Sequence, residues 1–194
     1  MPAAVKDRRH ELLSLLAPTA IAERSAPVSL RQFAIKAGVS EPTLRHFFTD
    51  RQGVVTALIG FFAEGAKHFL EQSSQPEASL HEAVSGYGHL ALAGAQSRLF
   101  AQAHGFALVE SIHDPEVART YLQTIIEPSL QALEHRLAPS VDPEGSNPDH
   151  VRHAALALAL ALAAKLAFVW VSWLGQGNYT FFDWHGWFWH WQLQ

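Results

Sequence analysis

The sequence predicts an all-α fold, a three-helix N-terminal domain over residues 1–50 followed by a larger helical domain over 51–194. Three observations carry that reading. Apolar residues recur at helical spacing through nearly every long segment. No strand-like alternation lasts beyond a few residues, and nothing repeats at solenoid periods. Helix starts and stops crowd the stretch 25–52, where short helices must meet at tight corners. With 48% hydrophobic and 16% charged residues among 194, the chain has material for a core and is no disordered polymer.

Leu12, Leu13, Leu16 and Ile21 give a first amphipathic helix from about Val5 to Arg24, ending before Ser25-Ala26-Pro27. Ser29 with Gln32 forms a capping-box pattern ahead of Leu30, Phe33, Ala34 and Ala37 on one face. Gly38 stops that helix from the C′ position. Ser40 caps the next, whose inward residues are Leu44, Phe47 and Phe48; Thr49 with Gln52 is a further capping box, opening a long helix to about Gln72. After the Ser73–Ser79 turn, helices are expected at about Leu80–Ala95, Ser97–Ser111 and Pro115–Leu137, the last capped by Asp114 and kinked at Pro128. Ala138–Asp149 reads as the clearest loop, followed by an apolar helix from about His150 to Leu174.

Charge is unevenly spread. Residues 1–51 hold eight Lys/Arg against five Asp/Glu, whereas the rest hold six against thirteen, within a net charge of −4. A basic head on an acidic body points to an anionic partner for the head. Charges where a signal peptide needs its apolar run argue for a cytoplasmic chain. Zero cysteines exclude disulfides, thiol catalysis and cysteine-ligated metal. No nucleophile elbow, phosphate loop or paired-carboxylate motif appears, so no catalytic residue, cofactor or metal is expected. His150 and His153, at helical spacing, are the faint exception.

Residues 29–48 meet the demands of a helix-turn-helix: small Ala34 at the crossing, Gly38 in the turn, and Val39, Leu44 and Phe47 facing back. An ordinary helical corner would share that apolar pattern. The outward set Ser40, Glu41, Pro42, Thr43, Arg45 and His46 adds hydrogen-bonding groups suited to base edges and phosphates.

The run LRQFAIKAGVSEPTLRHFFTDRQGVVTALI resembles the N-terminal DNA-binding domain of TetR-type transcriptional regulators, over about residues 8 to 60. The rest resembles that family only in being helical and of suitable length. The resemblance implies a homodimer on a palindromic double-stranded operator, Ser40–His46 in the major groove, and repression released when a small apolar or aromatic ligand binds the body. It places Arg51 on a phosphate and Thr43 on a base or phosphate, and with Ser29 these complete the DNA-facing candidates. Two positions depart from the pattern. Arg45 stands where the family usually has Tyr, and Phe47 where it often has His.

Ligand-lining candidates are Tyr87, His89, Phe100, His104, Phe106 and Glu110, with Trp170 and Trp173 on the late helix. All six tryptophans follow residue 169, and Tyr179–Trp191 holds eight aromatics in thirteen residues. Such a segment needs cover, so the dimer is expected through about 150–192. The alternative is a membrane-associated helical protein using 154–175 and this tail, although Lys165 at the middle of a span would cost about 2.5–3.5 kcal/mol.

Overall fold

The computed structural model describes residues 3–22 and 27–175, with side chains placed for 7–22, 27–97 and 100–165. Every regular element among them is helical. α1 (Ala3–Ala22), α2 (Leu30–Lys36), α3 (Glu41–Phe48) and α4 (Arg51–Gly65) are followed by α5 (Lys67–Ser73), α6 (Leu80–Gln96) and α7 (Arg98–His113). α8 (Pro115–Tyr121) runs through a π-helical turn at Leu122–Ile126 into α9 (Glu127–Val141), and α10 spans Pro148–Gly175. By internal packing the chain divides within α10, between Leu156 and Ala157.

α1 lays Leu12, Leu16 and Ala20 into the interior at 3–4 residue spacing, against Phe33, Leu44 and the α4 row Val54, Val55, Leu58 and Ile59, all buried. The same core continues without a break into Ala103, Phe106 and Ala107 of α7 and Val117 and Tyr121 of α8. Packing therefore runs straight through residue 50, where the composition changes.

Four local expectations are corrected. The cap of α4 is Asp50, whose Oδ1 accepts from Gly53 N at 2.8 Å; Thr49 instead turns the corner at φ 71°, ψ −59°, with Asp50 N donating to Phe48 O at 2.8 Å. This γ-type turn brings Phe48 O so near Gly53 that a Cβ would lie 1.8 Å from it, which is why glycine stands there. The long fourth helix breaks at Ala66 with a 51° bend, next to the weak helix former Gly65, and the bend seats Phe69 against Phe100 at 5.3 Å between ring centroids. The single helix expected over Pro115–Leu137 is instead α8, a π turn over Leu122–Ile126 and α9, with Pro128 in the first turn of α9. α9 continues past Pro139 to Val141, so the loop shrinks to Asp142–Asn147. Asp142 organises it by accepting from Ser146 N and Asn147 N, which hold its carboxyl below the usual range.

Among the described residues no single helix is long and apolar enough to cross a membrane. The bent pair α4 and α5 reaches that length and composition together, but Val54, Val55, Leu58, Ile59 and Phe62 of α4 are core residues.

Candidate nucleic-acid interface and body cavity

Local hydrogen bonds build the α2–α3 corner. Ser29 Oγ accepts from Gln32 N at 3.2 Å while Ser29 N donates to Gln32 Oε1 at 2.8 Å, completing the capping box. Gly38 takes φ +65° with nothing near its missing Cβ, and Val39 N reaches back to Ala34 O at 3.0 Å. Ser40 then caps α3, accepting from Thr43 N at 3.2 Å and sharing a 2.7 Å hydrogen bond with the Thr43 hydroxyl. Leu44 and Phe48 face inward, and the Arg9 guanidinium of α1 lies 5.1 Å from the Phe48 ring centre.

The outward arc of α3 is Pro42, Arg45 and His46, with Glu41 and Thr43 half-buried at its flanks. Arg45 Nη2 donates to Glu41 Oε1 at 2.8 Å, one turn away. His46 stacks edge-on against Phe47, whose ring is only partly covered. Arg31 on α2 is also exposed.

Arg51 lies elsewhere. Its Nη2 donates to both carboxylate oxygens of Glu110, at 2.7 and 2.6 Å, and its Nε donates to Val28 O at 2.7 Å. Glu110 is 2% exposed, so this guanidinium balances a buried charge. Its guanidinium thus has partners within the chain while remaining 30% exposed. Next to it, Gln52 Nε2 donates to Asp114 Oδ1, the cap of α8, at 3.3 Å.

Of the ligand-lining candidates, the structure brings Phe100 and His104 together on one cavity of about 30 Å³. Phe62, Ala63, Ala66, Phe69, Leu70, Ala103, Thr124, Ile125 and Ser129 complete its walls. Phe62, Ala66, Phe69 and Leu70 form a helical row in the sequence, whose path past the cavity depends on the bend at Ala66. His104 Nδ1 is 2.8 Å from Tyr121 Oη, and Phe100 packs edge-on against the imidazole at 4.4 Å. Burial lowers the His104 pKa and pushes the Tyr121 phenol up to about 12, so the pair is neutral. Phe106 is buried against Phe62 and Glu110 is held by Arg51; Tyr87, half-buried, and His89, exposed, lie off the cavity walls. Trp170 and Trp173, like the aromatic tail, fall outside the described side chains.

No protein-family model matches the sequence, and no curated protein sequence matches it. In fold, the chain is similar to a crystal structure of a protein from Mesorhizobium loti MAFF303099 assigned to the TetR family of transcriptional regulators. The TM-score is 0.56 at 16% identity, over 84% of this chain and 98% of that one. At that identity the likeness is one of fold, all-helical and nearly complete in length.

Proposed function

We propose that this chain is a DNA-binding transcriptional regulator, acting as a homodimer on a palindromic operator and releasing it when a small ligand enters the body. The observation that carries the proposal is the α2–α3 corner. Its outward arc presents Arg45 and His46, and α2 carries exposed Arg31, on the basic part of an otherwise acidic chain. The likeness in fold to a protein assigned to the TetR regulators supports it. A cytoplasmic location is the reading that goes with this role, and nothing in the role requires catalysis.

The ligand enters at the Phe100–His104 cavity. At about 30 Å³ the cavity suits water, whereas drug-sized ligands occupy roughly 300–1,000 Å³. Binding must therefore part the rings. Alanines and aromatic faces line most of it and no charged side chain does, which fits a neutral apolar or aromatic ligand. Dimerisation falls to the segment of about 150–192, rich in apolar and aromatic residues that need cover.

The test is retardation of the DNA flanking this protein's own gene by the full chain and by Arg45→Ala. Specific retention by the wild type, lost in the variant and released by an apolar aromatic compound, is the expected result. Failure of the wild type to enrich any sequence from random double-stranded DNA would overturn the reading.

A further inference from the structure

Resting on the DNA-reading role of α3, we infer that Glu41 is a specificity-determining positioning residue, which holds Arg45 for a guanine and reads the neighbouring base pair itself. The starting point is a carboxylate in an awkward place. Glu41 lies in the first turn of the helix that faces the groove, its side chain 36% exposed, where phosphates repel it. Folding gives it only modest reasons: an acidic side chain in the first turn complements the helix dipole, and an exposed i,i+4 pair adds little.

Geometry gives a better one. Glu41 Oε1 engages one amino group of Arg45, Nη2, at 2.8 Å, and Arg45 remains 56% exposed. A long side chain that would otherwise sample many rotamers is thus held against one partner, with donors left over on the same rigid fork. That fork matches guanine O6 and N7, the commonest specific major-groove contact. Glu41 has acceptor capacity beyond the atom Arg45 uses, and the base that gives a carboxylate a donor in the major groove is cytosine, through N4. The pair therefore selects a guanine beneath Arg45 and favours a cytosine beside it. The same carboxylate opposes indiscriminate binding, because it lowers the attraction of α3 for any phosphate it approaches.

Full-length wild type, Glu41→Gln, Glu41→Ala and Arg45→Ala are each taken through selection from random double-stranded DNA, and their affinities are then measured on the enriched site and on unrelated DNA. The wild type is expected to enrich an inverted repeat with a guanine in each half-site. Arg45→Ala should lose that preference, on the order of 10-fold per base pair. Both Glu41 variants should weaken the guanine and adjoining cytosine preferences while binding unrelated DNA more tightly. Loss of the negative charge alone accounts for tighter binding to unrelated DNA, so the loss of the guanine and cytosine preferences is the readout that a merely structural Glu41 would not move. Enrichment by the wild type with unchanged preferences in the Glu41 variants overturns this inference and leaves the regulator reading standing. Absence of enrichment by the wild type overturns both.

Discussion

At the scale of single residues, the body is pinned by one buried cation. Arg136 is 2% exposed and donates to Ala83 O at 2.8 Å, Gln72 O at 3.2 Å and Glu77 Oε1 at 2.8 Å, tying α9 to α6, to α5 and to the turn between them. Its path crosses Gly86, where a Cβ would meet Nη2 at 2.3 Å. Gly86→Ala should therefore displace a guanidinium that has nowhere else to be satisfied, at about 1–3 kcal/mol in urea unfolding. In an Arg136→Met background the same change should cost almost nothing. Equal costs in both backgrounds would show that the clash is not with Arg136. His104 makes a prediction of opposite origin. Burial lowers its folded pKa below the usual 6.5, so below that value the unfolded chain takes up a proton the folded chain refuses. Stability is then full above about pH 6.5 and falls as pH drops toward the folded pKa. Melting temperature followed from pH 8 to 5 should decline more shallowly in His104→Gln than in the wild type.

Between elements, the ion pair Arg51–Glu110 matters most. It joins the start of α4 to α7, and the additional hydrogen bond to Val28 O brings in the segment leading to α2. Arg51→Met leaves the Glu110 carboxylate buried without a partner. The expected loss is about 3 kcal/mol, the lower end for a broken buried pair because Arg51 is 30% exposed. The double variant Arg51→Met, Glu110→Leu should recover most of it, measured by chemical unfolding. This contact also marks where the sequence stopped being readable. Caps at Ser29, Ser40 and Asp114 were legible because the bond closes within three residues of the capping side chain. The Asp50 cap was not, since the competing Thr49–Gln52 pattern is excluded only by the approach of Phe48 O to Gly53. Arg51 and Glu110 stand 59 residues apart, and nothing local distinguishes an arginine aimed at a carboxylate from one aimed at a phosphate. Phe100 and His104 could be picked out as cavity residues from their helix alone, whereas Phe62 and Phe69 needed the bend at Ala66.

For the whole molecule, the pairing of Arg51 with Glu110 changes what salt should do. Double-stranded DNA releases counterions as protein cations neutralise its phosphates, and log affinity falls with log salt by about 0.9 for each phosphate engaged. The head has its positive balance from only eight Lys/Arg against five acids, and Arg51 is committed to Glu110. The surface available to phosphates must then be carried by groups such as Arg31, with Arg45 held by Glu41 for the groove. The acidic remainder, six basic against thirteen acidic residues, contributes repulsion at longer range. Affinity for an enriched operator should accordingly drop by about 100-fold or more between 50 and 200 mM salt, as expected of a dimer making several phosphate contacts. Arg31→Ala should reduce the slope by roughly one for each phosphate lost. Arg51→Met, assayed well below its melting temperature, should leave the slope as it is even though the protein is less stable. A slope that falls with Arg51→Met would put that guanidinium on DNA after all, and would require the Glu110 contact to open when the operator binds.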